Sequence, residues 1–210
     1  WRHVMIPGGW VHAWRHRRLP AGRRGEMGVL LIVTWWLTQI DPTATLFSSG
    51  DLRPIFDLVA PIGFSVRRYV GFEAATVCCS LISIGLFLRC GLHSPSPWLA
   101  GLLIGLGIGV KTVAGSWFVT PADPWLWATP GTGWGFALGL AGLGACWRLR
   151  PSTRLALANL TLLLATVLVN LAPANPFEEA SQHLSRSGHF VGIRNLTLAL
   201  SLAWPFCALS

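Results

Sequence analysis

Lys111 is the residue of this sequence best placed for chemistry, because it lies near the middle of a long apolar run. A lysine at the centre of a membrane helix costs about 2.5–3.5 kcal/mol on insertion scales, so it needs a partner or a wet cavity. Glu73 is the best-placed acid, and Asp123 is the second. This intramembrane polar group predicts a site for an ion, a proton or an anionic substrate. A structural ion pair, or a lysine that snorkels outward along its own stem, is the alternative that we favour.

The other reactive residue types form no recognisable catalytic, metal or cofactor motif. All six histidines lie outside the apolar runs, so no histidine is placed to ligate a haem or chlorophyll inside the bilayer. The sequence has no Gly-x-Ser-x-Gly, His-Glu-x-x-His, P-loop or Cys-x-x-Cys pattern. We therefore predict no catalytic residue, no metal and no cofactor. An enzyme on the outer face is a weaker alternative, and its residues would be His183, His189, Glu178 and Glu179.

The composition indicates a membrane protein. Hydrophobic residues make up 52% of the chain and charged residues 11%, whereas a soluble domain carries about 25% charged residues. The net charge is +8, and six of the sixteen basic residues precede residue 25, directly ahead of the first apolar run. This layout favours contact with anionic lipid headgroups over contact with nucleic acid. The basic residues predicted to lie at the membrane surface are Arg15, Arg17, Arg18, Arg23 and Arg24.

The apolar runs predict an all-α transmembrane bundle of five or six helices, because a span needs about 20 apolar residues. A basic segment, 1–26, precedes a helical domain, 27–210, which has two outer loops at 41–69 and 172–194. Pro130 interrupts the fourth run, which predicts a kink or a simple packing bend. The predicted spans are 27–40, 70–88, 98–119, 125–147, 155–171 and 196–209.

The first outer loop has a helical pattern of its own. Between Asp51 and Gly63, apolar residues recur at helical spacing and charged residues fall on the other side. The pattern predicts a short helix on the outer membrane surface, or equally a loop that packs its apolar face on the bundle.

The arginine distribution predicts the orientation. With the N-terminus in the cytoplasm, ten basic residues fall on the inner side and five on the outer side. Cytoplasmic loops carry the excess of Arg and Lys in membrane proteins. We therefore expect a multi-pass protein of a bacterial inner membrane with a cytoplasmic N-terminus.

Glycines repeat every four residues in the third and fourth spans. Residues four apart share one face of a helix, and glycine faces let membrane helices approach closely. We predict that the third and fourth spans pack antiparallel through these faces. The alternative is that the faces meet a helix of another protein, or a flat lipid or pigment. The six glycines are Gly101, Gly105, Gly109, Gly131, Gly135 and Gly139.

Five short motifs stand together as a pattern: Asn170–Phe177, Gly188–Phe190, Trp204–Phe206, Thr129–Gly131 and Gly71–Ala74. They resemble the C-terminal part of long bacterial VanZ-like membrane proteins. The resemblance covers most of residues 27–210, and it leads us to expect that this chain is part of a longer protein. The family takes its name from glycopeptide antibiotic resistance, but the resemblance implies no catalytic residue.

Three functional hypotheses follow. The first is a non-catalytic structural or accessory component that packs against other membrane protein subunits. The second, implied by the VanZ-like resemblance, is an envelope protein that acts on lipid-linked or cell-wall material. The third is a small transporter that uses Lys111 and Glu73.

Overall fold

The computed structural model describes residues 23–41, 44–56, 60–91, 97–118, 125, 127–173 and 189–209, and these residues form helices and connecting loops without a strand. The all-α class predicted from the apolar runs is confirmed for the described residues. In chain order the helices are α1 (Arg23–Thr38), α2 (Arg53–Phe56), α3 (Val66–Gly91), α4 (Pro97–Phe118), α5 (Pro130–Cys146), α6 (Pro151–Leu171) and α7 (His189–Leu209).

Each predicted span coincides with a helix, but only three described helices are long and apolar enough to cross a membrane. These are α3, α4 and α6, over Val66–Cys90, Pro97–Trp117 and Pro151–Leu171. The predicted count of five or six spans is therefore not reached. The helix α5 has 17 residues, and the apolar parts of α1 and α7 are shorter still. Three such helices are the pattern of a membrane protein.

The helix α5 begins at Pro130, so the predicted start of the fourth span at residue 125 is wrong, and so is the predicted kink. Thr129 caps the helix, because its hydroxyl oxygen accepts a hydrogen bond of 3.1 Å from the backbone N–H of Thr132. Proline is well tolerated at the first helical position, where its missing N–H would have no partner in the helix.

The glycines of α5 pack against α3. A Cβ atom at Gly135 would lie 2.5 Å from the carbonyl oxygen of Ala74, and one at Gly139 would lie 2.9 Å from Leu81. Close approach of two backbones is the usual role of small residues between membrane helices. The two helices run parallel, because later glycines meet later turns of α3: Gly131 contacts Val70–Glu73, Gly135 contacts Ala74–Val77, and Gly139 contacts Cys78–Leu81.

The predicted glycine interface between the third and fourth spans is therefore wrong. Glycine spacing identifies a face that permits close approach, but it does not identify the helix that approaches. On α4, no described atom lies within 4 Å of a Cβ built at Gly101, Gly105 or Gly109. The contact of α4 with α1 uses another glycine, Gly107, which lies against the ring of Trp35.

The helix α6 covers another side of α3. The hydroxyl of Ser83 donates a hydrogen bond of 3.0 Å to the carbonyl oxygen of Ala158, which ties the middles of the two helices. The buried residues of α6 recur at helical spacing and form one face: Ala158, Thr161, Leu162, Ala165 and Val169.

Two tryptophan side chains connect α1 to its neighbours. The indole N–H of Trp36 donates to the carbonyl oxygen of Leu103 on α4, at 3.0 Å. The indole N–H of Trp204 on α7 donates to the carbonyl oxygen of Leu31, at 2.9 Å. The indoles therefore connect helices inside the bundle in addition to burying apolar surface.

Of the surface helix predicted between Asp51 and Gly63, the described residues form the single turn α2. Asp51 accepts a hydrogen bond from the backbone N–H of Arg53 and forms an ion pair of 2.7 Å with its guanidinium group. Residues 57–59 lie outside the described residues, and residues 60–63 are not helical.

Candidate functional site

A non-helical segment, residues 44–52, passes through the interior of the helical bundle, and it is called the buried segment below. Leu46 and Phe47 are each 1% exposed, and Ser48, Ser49 and Gly50 are buried as well. The ring of Phe47 contacts that of Trp35, with centroids 5.4 Å apart. Irregular backbone at this depth needs internal hydrogen-bond partners, because lipid offers none.

Lys111 supplies one hydrogen bond at the start of the buried segment and a second one to Asp41, which precedes the segment. The lysine side chain is 1% exposed, and Nζ donates to the carbonyl oxygens of Asp41, at 2.9 Å, and Ala44, at 2.6 Å. Hydrogen bonds from a charged donor are stronger than neutral ones, contributing about 1.5–3 kcal/mol each. These contacts give Lys111 a structural role, which is to fix the chain where it enters the bundle interior.

Two amide side chains hold the rest of the segment. Gln39 accepts a hydrogen bond of 3.1 Å from the backbone N–H of Phe47. Asn170 bonds the segment twice, since its Nδ2 donates to the carbonyl oxygen of Gly50, at 2.8 Å, and its Oδ1 accepts from the N–H of Leu52, at 2.9 Å. An amide group carries both donors and an acceptor, so the single side chain of Asn170 can bond a backbone N–H and a backbone carbonyl of the segment.

Pro205 leaves the backbone carbonyl of Ser201 without its usual hydrogen-bond donor in α7, and Gly50 takes that place. In a helix the carbonyl of Ser201 would accept a hydrogen bond from the N–H of residue 205, but proline has no N–H. The N–H of Gly50 donates to that carbonyl oxygen instead, at 3.0 Å. Gly50 has a φ of +80°, and a Cβ atom here would lie 2.9 Å from Thr166, so both backbone and space require glycine.

Glu73 lies apart from Lys111 and bonds to α5. Its side chain is 7% exposed, its Oε1 lies 3.1 Å from the hydroxyl of Thr132, and its Oε2 has no hydrogen-bond partner in the described residues. The same hydroxyl lies 3.1 Å from the carbonyl oxygen of Trp127, and it has only one proton to donate. In its protonated form, Glu73 donates a hydrogen bond to the hydroxyl oxygen of Thr132. The Thr132 hydroxyl can then donate its own proton to the carbonyl oxygen of Trp127.

A cavity of about 250 Å³ lies beside the buried segment. Its wall is mostly apolar. Thr132 is one of the lining residues, and its hydroxyl is hydrogen-bonded to Glu73. The indole N–H of Trp127 donates to Thr112, at 3.1 Å, and so holds one side of the cavity on α4. The lining residues are Leu46, Ile108, Trp127, Ala128, Thr129, Thr132, Gly133 and Phe136.

The structure thus separates the residues that the sequence grouped together. Lys111 and Glu73 form no ion pair, because each bonds to a different element. Asp123, Arg15, Arg17, Arg18, His183, Glu178 and Glu179 lie outside the described residues, as do the side chains of Arg23, Arg24 and His189. Within the described ranges, no group of three His, Cys, Asp or Glu residues could hold a metal ion.

Sequence reasoning missed the residues that hold the buried segment. Gln39 and Asn170 carry amide groups inside apolar runs, and Pro205 follows Ser201 by four residues inside the last run. Each is a visible signal, because an amide or a freed carbonyl within the membrane needs a partner. Such signals show that a partner exists, but they do not identify it.

No family model, curated protein or solved structure matches this chain. The VanZ-like resemblance therefore stays a prediction, and so does the envelope role that it implies.

Proposed function

We propose that this chain is a non-catalytic component of a membrane protein assembly, and that it packs through α4 against a transmembrane helix of another protein. The observation that carries the proposal is the glycine face of α4. Gly101, Gly105 and Gly109 are exposed and meet no described atom, although the helix is long and apolar enough to span a membrane. The cytoplasmic N-terminus stays a prediction from the arginine distribution.

The same spacing elsewhere in the chain supports a helix as the partner. On α5, glycines at positions 131, 135 and 139 accommodate the apolar helix α3 over Val70–Leu81. The face on α4 has the same repeat and is flanked by exposed apolar side chains, including Leu102, Leu106 and Val113. Small residues in such a row favour association between membrane helices through close packing.

The contacts of Lys111 and Glu73 make the transporter hypothesis weaker. That hypothesis required the two side chains to form one polar site. Lys111 binds backbone carbonyls of the chain itself, and Glu73 binds Thr132. A lysine held in this way stabilises the fold and is poorly placed to release and rebind a substrate.

Replacing Gly105 by leucine is expected to remove the partner protein. The added side chain fills the open face and prevents close approach, while the chain itself loses no described contact. The measurement is co-purification from native membranes in a mild detergent, followed by size analysis and mass spectrometry. The control is Gly133→Leu, which adds the same volume at an exposed glycine of α5 with no described neighbour.

We expect the wild type and Gly133→Leu to bring down a defined membrane protein, and Gly105→Leu to lose most of it. A wild-type chain that purifies alone, or only with copies of itself, would refute the proposal. Equal retention by both variants would show that α4 is not the interface.

A further inference from the structure

Two arginines lie together at the end of the bundle opposite the buried segment. Arg89 is in the last turn of α3, and Arg154 is in the first turn of α6. Ser83 meets Ala158 in the middle of these helices, so Arg89, six residues onward, and Arg154, four residues back, reach the same end. Both guanidinium groups lie near Cys90.

Neither side chain has a counter-ion among the described residues. The buried nitrogens Nε of Arg89, and Nε and Nη1 of Arg154, have no hydrogen-bond acceptor. The acidic side chains that the structure describes, Asp41, Asp51 and Glu73, all bond at the other end of the helices. A buried guanidinium without an acceptor is unfavourable, so this pair of positive charges favours an anion.

The surroundings of the pair suit a lipid better than a soluble anion. The guanidinium carbon of Arg89 lies 5.4 Å from the centroid of the Trp147 ring, and tryptophan is enriched at membrane interfaces. Below the two arginines, Leu86, Leu143 and Ala158 form an apolar cluster. Both arginines are half-buried, so part of each side chain reaches the surface.

We propose that Arg89 and Arg154 bind the phosphate group of an anionic phospholipid at this end of the bundle. Guanidinium groups form paired hydrogen bonds with phosphate oxygens, and two of them can share the two non-ester oxygens of one negatively charged phosphodiester. The acyl chains would follow the apolar surfaces of α3 and α6. Basic pockets between membrane helices recognise phospholipid headgroups in this manner.

The test compares two double variants that remove the same charge. Arg89→Gln with Arg154→Gln removes the proposed site. Arg148→Gln with Arg150→Gln removes two exposed arginines from the neighbouring connection between α5 and α6. Each protein is placed in phosphatidylcholine nanodiscs, phosphatidylglycerol is added, and both the lipid retained and the melting temperature are measured.

We expect phosphatidylglycerol to stabilise the wild type and the Arg148 and Arg150 variant, and the Arg89 and Arg154 variant to retain it about tenfold less well. If both variants lose the lipid equally, the binding reflects net charge and the proposal fails. If inorganic phosphate stabilises the wild type as well as the lipid does, the site binds a free anion, and the lipid assignment is wrong. If the double glutamine variant does not fold, Arg154→Lys replaces it and is expected to bind with intermediate strength, because lysine keeps the charge but not the paired hydrogen bonds. Unchanged retention by Arg154→Lys would overturn the proposal.

Discussion

Replacing Lys111 by methionine is expected to destabilise the protein by about 1–3 kcal/mol, because two half-buried carbonyl groups lose their charged hydrogen-bond donor. Methionine keeps the length of the side chain and adds no clash. The carbonyl oxygens of Asp41 and Ala44 are then left without the Nζ atom that lies 2.9 and 2.6 Å away. The measurement is the free energy of unfolding in mixed micelles, from a denaturant titration.

The matched control is Val113→Met, two residues further along the same helix, where the side chain is 64% exposed. We expect this variant to be within about 0.5 kcal/mol of the wild type, as surface substitutions usually are. A Lys111→Met protein as stable as the control would mean that the lysine does not hold the buried segment. That result would return Lys111 to the role of a functional charge.

Replacing Gly135 by alanine is expected to separate α5 from α3 and cost about 1–3 kcal/mol, the usual cost of overpacking. The new Cβ atom would lie 2.5 Å from the carbonyl oxygen of Ala74 and 2.8 Å from the Cβ atom of Val77. Backbone atoms cannot rotate away as the end of a flexible side chain can, so the helices must move apart. Thermal unfolding, followed by the loss of helical circular dichroism, measures the change in stability.

The comparison that isolates packing is Gly133→Ala. Gly133 is in the same helix, two residues earlier, and no described atom lies within 4 Å of its Cβ position. Alanine also has the higher helix propensity, by about 1 kcal/mol, so this variant is expected to be neutral or slightly stabilised. Equal melting temperatures for the two alanine variants would show that α5 does not pack on α3 through its glycines.

The sequence predicted the positions of the helices well, because apolar length is a local property. The third span, 98–119, and helix α4, Pro97–Phe118, differ by one residue at each end. The start of the fourth span was predicted less well. Trp125–Ala128 are apolar enough to extend the run, but the helix begins only after its N-terminal cap, Thr129. Hydropathy does not register a cap, which depends on one side-chain hydrogen bond.

The partners of these helices could not be predicted in the same way. The need of Lys111 for a partner followed from the cost of a buried charge, but the partners turned out to include backbone carbonyls of a loop. Nothing local indicates that residues 44–52 turn inward, since Leu46 and Phe47 could equally cover the outside of the bundle. Their burial depends on Asn170 and Ser201, which lie more than 100 residues away in the chain.

The glycine repeats show the same limit. Both repeats indicate faces that accept a close neighbour, and one of them has a neighbour within the chain. The face on α4 has no described neighbour, which is why we look to another protein for its partner.

Hydrogen–deuterium exchange of the wild-type protein in lipid nanodiscs tests the buried segment most directly. The N–H groups of Phe47, Gly50 and Leu52 donate to Gln39, Ser201 and Asn170 inside the bundle. We predict that peptides covering residues 44–52 exchange as slowly as the core of α3, and far more slowly than the non-helical residues 60–65. If residues 44–52 exchange as fast as residues 60–65, the segment is an ordinary surface loop, and the role assigned to Lys111 and Asn170 is wrong.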